Sequence, residues 1–198
     1  MLNITLSKPS KMPGYAYGIP AQKCHTGSKL RKVEGSTCSH CYALKGNYRF
    51  NNVKSAQMRR LKAIARKTWV ATMVRLITDT KTQFFRWHDS GDLQSVDHLS
   101  KIVDICNQTP SVQHWLPTRE YKIITDYLFE HGNFPNNLNV RLSAHMVGKT
   151  LNPVQGLTSS TVNCNTGHIC PARNQGNQCG DCRACWSKAV SNVDYPLH

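Results

Sequence analysis

Apolar positions follow two rhythms along this chain. From Asn52 to about Thr78, Met58, Leu61, Ile64 and Ala65, then Trp69, Met73, Leu76 and Ile77, recur at three- and four-residue spacing, which predicts helix. The rhythm then shortens. Gln83 to His88 is an aromatic-rich run that suits a strand and ends in Asp-Ser-Gly-Asp. Val96 to Cys106 predicts an amphipathic helix, and Val112 to Leu116 a strand ending in Pro-Thr-Arg-Glu. Tyr121 to Phe129 predicts a helix stopped by Gly132 and Pro135, and Leu138 to Leu142 a strand ending in Ser-Ala-His. This alternation is the signature of right-handed βαβ units in a parallel sheet. Ahead of it lie a short strand, Asn3 to Leu6, an irregular segment through Cys24 and Gly27, and a Cys38–Cys41 turn opening a short helix. Behind it, Ser160 to Cys164 suits a fourth strand and Val193 to Pro196 an edge strand. The expected fold is one α/β domain over residues 1–198, a partial (βα) barrel-like parallel sheet with a Cys-rich, metal-binding C-terminal tail. Residues 1–81 form its basic Cys-loop and helical segment, 82–163 its βα core and 164–198 its tail.

Ligands of parallel α/β folds sit at the carboxyl ends of the strands. Here those ends carry His88, Asp89, Ser90, Gly91 and Asp92, then Thr118, Arg119 and Glu120, then Ser143 and His145. Two carboxylates in a partly desolvated crevice can divide into proton donor and acceptor, or nucleophile and base. Asp89 and Asp92 are therefore the candidate catalytic pair, with His88 beside them and Arg119 as an anion clamp. Helix capping is the competing use, and it explains Asp92 better than Asp89.

Charge narrows the partner. Of 25 basic and 11 acidic residues, the first 81 positions hold sixteen basic and two acidic, the whole of the +14 excess. Such segregation points to a polyanion, most simply nucleic acid with DNA favoured. Arg59, Arg60, Lys62, Arg66 and Lys67 crowd one predicted helix and are the candidate contacts. A solubility role would need no segregation. No stretch approaches the roughly 20 apolar residues of a membrane span, and Met1 to Ser7 lacks the layout of an export signal. A cytoplasmic protein with no membrane partner is expected.

Nine cysteines in a 198-residue chain without an export signal argue for metal rather than disulfides. Cys170-x8-Cys179-x2-Cys182-x2-Cys185 supplies four soft ligands, with Cys164 and His168 just upstream. They can surround one tetrahedral zinc or one iron–sulfur cluster. Cys24-x13-Cys38-x2-Cys41 supplies three. Either a fourth ligand completes a structural zinc, or one cluster iron stays open to substrate. Cys106 falls on an apolar helix face and reads as an inert core thiol.

Taken together these residues resemble the phage gene-product-88 family. The marks are Lys11-Met-Pro, Ile19-Pro-Ala with Cys24, Gly35-Ser-Thr-Cys-Ser-His-Cys-Tyr-Ala-Leu-Lys-Gly, Arg86-Trp-His-Asp-Ser-Gly-Asp-Leu-Gln-Ser, Trp115-Leu-Pro-Thr-Arg-Glu and the tail Cys-Gly-Asp-Cys-Arg-Ala-Cys-Trp. The resemblance implies a phage or prophage origin. More distantly, a cysteine loop ending Cys-Tyr-Ala ahead of a partial barrel is similar to the radical S-adenosylmethionine enzymes. Their Gly-Gly-Glu-like strand end would be Ser90-Gly91-Asp92, so Ser90 and Gly91 become cofactor-binding candidates and S-adenosylmethionine a candidate co-substrate. Asp89-Ser-Gly-Asp-Leu-Gln94 also resembles a motif of the guanine transglycosylases that insert 7-deazaguanines into DNA. The expected function is a nucleic-acid base-modifying enzyme with a Cys-ligated iron–sulfur site. The alternatives are a DNA guanine transglycosylase with catalytic Asp89 and structural zinc, and a non-catalytic, metal-stapled nucleic-acid-binding protein acting on host defence.

Overall fold

Strand β1 (Tyr15–Tyr17) lies beside β2 (Phe84–Trp87), and β3 (Gln113–Thr118), β4 (Leu138–Ser143) and β5 (Thr158–Val162) follow in chain order. The sheet ends with β7 (Asn192–Tyr195) and then β6 (His168–Ile169), and every pairing is parallel. These facts come from a computed structural model that describes residues 3–151, 154 and 156–197. Met1 and Leu2, which open the stretch tested for an export signal, lie outside them, as does His198 of the tail. Laying five strands one step over each time is how a (βα) barrel builds its wall. Here the wall stays open, with β1 and β6 as its edges.

Helices α3 (Trp69–Asp79), α4 (Val96–Gln108) and α5 (Tyr121–His131) pack side by side on one face. Phe85 and Trp87 of β2, Leu116 of β3, and Leu138, Val140 and Leu142 of β4 meet them in the main core. The Ser95 hydroxyl caps α4 by accepting from the His98 nitrogen at 3.1 Å. Gly132, at φ 77 and ψ −149, ends α5 in a conformation open essentially to glycine alone. No helix among the described residues is long and apolar enough to cross a membrane.

The opposite face of the sheet is covered by the Cys-rich tail. Trp186 stands edge-on to Phe84 and Trp115, 5.3 Å from each ring, and its indole N–H donates to the Phe85 carbonyl at 3.0 Å. Arg141 of β4, fully buried, fastens the tail. Its guanidinium donates to the carbonyls of Ser159 (2.6 Å), Ala184 (3.1 Å), Ser187 (3.2 Å) and Val190 (3.0 Å). A charge buried without a carboxylate is tolerable because carbonyl dipoles replace its water.

Four expectations need correction. Asn3 to Leu6 is not a strand: only Ser7 bridges Ala16, and the Thr5 carbonyl is occupied by Arg60 Nε at 2.7 Å. The long helix is two, α2 (Asn51–Ile64) and α3, because the chain turns at residues 65–68 to drive Trp69 into the core against Tyr17. Periodicity continues across the turn and hides it. The inward face of α2 is also rotated from the expected one. Met58 and Ala65 are exposed, while Gln57 and Arg60 turn inward to serve the strand ends. Finally, β7 is not an edge, since β6 adds outside it. Gly167, at φ 70, permits that pairing, for a Cβ there would sit 2.6 Å from the Asn192 carbonyl oxygen.

Candidate metal centre at the strand ends

The amino-terminal cysteines are carried over the carboxyl ends of the strands. Cys24 precedes helix α1 (His25–Leu30), while Cys38 and Cys41 lie in the loop that follows it. Each part of this segment is tied to a different strand end. Thr37 donates its N–H to the His145 carbonyl at 2.9 Å and its hydroxyl to the Ala144 carbonyl at 3.1 Å, and Ser36 bridges Met146. Those contacts fix Cys38 beyond β4. Arg119, just past β3, donates from Nε to the Thr37 hydroxyl at 3.0 Å. Tyr42, which follows Cys41, donates its hydroxyl to the Asp89 carbonyl past β2 and accepts from Arg86 Nη2 at 3.2 Å. Gly27 lets the first turn of α1 lie close to the thiols, since a Cβ there would stand 3.1 Å from Cys24 Cβ and 3.5 Å from Cys38 Sγ.

Burial pushes the Cys24 thiol well up, and Asp92, Cys41, Cys38 and Glu120 add to it electrostatically. Cys38 is raised by burial too, with Arg119 pulling the other way. Cys38 and Cys41 both act on Cys24, and Cys41 on Cys38, so a divalent or higher cation among the three would reverse those penalties.

The two carboxylates occupy separate environments. Asp92 accepts from the Leu93 nitrogen (2.8 Å) and the Thr118 hydroxyl (2.6 Å) on Oδ1, and from the Arg119 nitrogen (2.9 Å) on Oδ2. Burial nevertheless raises it to about 6 against those donors. It staples the end of β2 to the end of β3, beside Cys24. Asp89 lies on the other side, its Oδ1 against Gly18 with no hydrogen-bond partner among the described residues. Burial raises it, opposed by Arg86 and Arg60. The cations beside it are Arg86 and Arg60, while Arg119, the expected anion clamp, serves Thr37.

His88 and the Ser90-Gly91 pair are each held by the chain around them. His88 is buried edge-on to His98 at 5.2 Å, and burial, then His98 and Arg86, holds it well below the ordinary histidine value. Ser90 accepts from Gln57 Nε2 at 2.7 Å and donates to the Ile19 carbonyl at 2.9 Å. Gly91, at φ 81, lies so close to Ile19 that any Cβ would run into its side chain. Both residues lock β2 to β1.

The tail cysteines form a second group. Cys170, Cys179, Cys182, Cys185 and His168 line one cavity of about 20 Å³, closed by Ala172, Ala184 and Trp186. His168 Nε2 is 3.3 Å from Cys182 Sγ, and Cys185 Sγ is 3.1 Å from the Tyr195 hydroxyl. Burial raises Cys185 to about 11, although Tyr195 and Arg141 oppose it. Cys164 is not among the lining residues: its sulfur contacts the Val162 carbonyl at 3.8 Å. Cys106 is fully buried in the helix-side core, where burial raises its thiol. Among the described residues, no three His, Cys, Asp or Glu side chains close on a point that would hold one metal ion.

Of the basic helix, Arg59, Lys62, Arg66 and Lys67 are exposed. Arg60 is buried, donating to Thr5 and Gly18 carbonyls. The residues not singled out from sequence are those that hold the loop, Thr26, Thr37 and Tyr42, and the one that fastens the tail, Arg141. Their hydroxyls and guanidinium reach partners far along the chain, which no local pattern announces.

Comparison with curated proteins and with solved structures gives no match. The family model for Gene product 88 matches residues 2–188, nearly the whole chain. The chain belongs to the Gene product 88 family of phage proteins.

Proposed function

We propose that this protein is a phage enzyme that modifies nucleic-acid bases, DNA favoured, at an iron–sulfur site held by Cys24, Cys38 and Cys41. One observation carries the reading: Cys24, Cys38 and Cys41, the second buried and the other two half-buried, are held over the ends of β2, β3 and β4, where parallel α/β folds place their chemistry. Thiolate is the ligand of such clusters, and three thiolates leave one iron able to accept a substrate or a co-substrate such as S-adenosylmethionine. The residues around the thiols bind and orient. Thr37, Arg119 and Tyr42 fix the loop against the sheet, and Arg119 supplies positive charge beside Cys38. The exposed cations of α2 and the turn after it, Arg59, Lys62, Arg66 and Lys67, would hold the phosphate backbone.

Cys170, Cys179, Cys182 and Cys185 would hold a second group that closes the tail over the sheet. They ring a cavity instead of meeting at a point. Four thiolates on such a ring are the ligand set of a structural zinc or of a cluster. Base exchange by transglycosylation is less well served, because Asp89 is walled in by Gly18.

The test is nucleoside mass spectrometry of DNA and RNA from cells expressing the protein, with Cys38→Ala as control. Extracts are assayed with and without added S-adenosylmethionine. A modified nucleoside that disappears with Cys38→Ala supports the reading. Unmodified nucleosides, with salt-sensitive DNA binding retained, would favour a non-catalytic binding protein.

A further inference from the structure

Glu120 closes a contact between strand β3 and the first amino-terminal cysteine. It is buried just past β3. Its Oε1 accepts from the Thr26 main-chain nitrogen at 2.8 Å and its Oε2 from the Thr26 hydroxyl at 2.7 Å. Thr26 is the second residue of α1, and Cys24 is the residue that opens that helix. Short helices are marginal by themselves, and α1 has six residues with no side-chain cap of its own. A two-pronged carboxylate reaching across 94 positions of sequence supplies that missing cap. It also sets where Cys24 stands relative to Cys38 and Cys41. Glu120 is itself positioned, its N–H donating to the Thr118 hydroxyl at 3.0 Å, which in turn donates to Asp92.

We infer that Glu120 is the positioning residue of the amino-terminal metal site, clamping Thr26 so that Cys24 completes the three-thiolate set. The inference rests on the proposed reading that these cysteines bind metal. Proximity of a carboxylate to a thiolate is electrostatically unfavourable, so charge alone would make Glu120 a poor neighbour for Cys24. Geometry is what it contributes. Glutamine can reproduce both contacts, accepting from the Thr26 nitrogen through its oxygen and donating to the Thr26 hydroxyl through its amide.

The test compares full-length wild type, Cys24→Ala, Glu120→Ala, Glu120→Gln and Thr26→Val, each reconstituted anaerobically with iron and sulfide. Iron per chain and visible absorption are read on protein shown to be folded by circular dichroism. Cys24→Ala defines the loss of the amino-terminal site. Glu120→Ala should match that loss, Glu120→Gln should keep most of the iron, and Thr26→Val, at a half-exposed position, should fall between. Full iron in both Glu120→Ala and Thr26→Val, with Cys24→Ala depleted, would overturn the clamp and leave the metal site standing. Equal depletion in Glu120→Gln and Glu120→Ala would also overturn it, because carboxylate charge and not position would then be required. Wild-type iron in Cys24→Ala would overturn the clamp together with the metal site it serves.

Discussion

The Nε of Arg119 donates to the hydroxyl of Thr37 across 82 positions of sequence, at 3.0 Å, and so ties the end of β3 to the residue before Cys38. The same guanidinium lowers the Cys38 thiol against the larger, upward effect of burial. Arg119→Gln removes the charge while leaving an amide to reach Thr37. In metal-free protein, the pH midpoint for alkylation of Cys38, followed by peptide mass spectrometry, should move upward. An unmoved midpoint would mean the charge is spent on solvent.

The basic helix divides into surface and core. Arg59→Gln, Lys62→Gln and Arg66→Gln together should flatten the log–log salt dependence of DNA binding by about 0.9 for each phosphate that is no longer neutralised. Thermal stability should stay within roughly 0.5 kcal/mol of wild type, as for ordinary surface changes. Arg60→Gln should do the reverse. It strips donors from the Thr5 and Gly18 carbonyls, should cost about 2 kcal/mol, and should leave the salt slope alone. Equal effects of Arg59 and Arg60 on the slope would contradict this division.

Acid should weaken the fold through buried histidines. His114 Nδ1 accepts from the Trp87 indole at 3.3 Å, and its Nε2 is 2.9 Å from the Thr109 hydroxyl, which donates to the Ile105 carbonyl. That network is complete for a neutral ring, and burial holds His114 down to about 3. His98 is also held down to about 3, by burial and then Lys101. A histidine whose folded pKa is depressed contributes stability above its unfolded value near 6.5, which is lost as pH falls toward the folded value. Each should cost roughly 2 to 3 kcal/mol between pH 6.5 and 4.5. Urea midpoints should therefore drop over that range, and less steeply in His114→Gln.

Arg141 should hold the tail in place. Arg141→Met keeps the length but leaves the carbonyls of Ser159, Ala184, Ser187 and Val190 without their donor. A loss of about 3 kcal/mol in urea titrations is expected, with faster alkylation of Cys179 and Cys182. Unchanged alkylation would show that the tail keeps its place without this arginine.

The βα core was legible because Leu116 and then Leu138, Val140 and Leu142 recur at strand spacing toward the helices, and Leu99, Ile102 and Cys106 repeat at helical spacing. That β4 is buried on its other face too, with Asn139 and Arg141 beneath the tail, was not legible in that pattern. What periodicity could not show is where polar residues turn inward. Gln57 and Arg60 broke the apolar face of α2 because their partners, Ser90 and the Thr5 and Gly18 carbonyls, lie far away in sequence. The strand-end rule correctly gathered Asp92, Arg119 and Glu120 near the cysteine loop. It could not separate Asp89 from Asp92, since three residues of irregular chain suffice to aim two side chains at different strands. Cys24, Cys38 and Cys41 were grouped by their place in the chain, whereas the contacts of Thr26 and Thr37 that hold them over the strand ends exist only in the fold.

Iron and acid-labile sulfide per chain, measured on anaerobically purified wild type and Cys38→Ala, test the central claim most directly. Wild type should be brown and carry iron with matching sulfide. Cys38→Ala should remain folded and lose the share of the amino-terminal site while keeping that of the tail. A colourless wild type holding zinc alone, or a Cys38→Ala protein with undiminished iron, would contradict an iron–sulfur site over the strand ends.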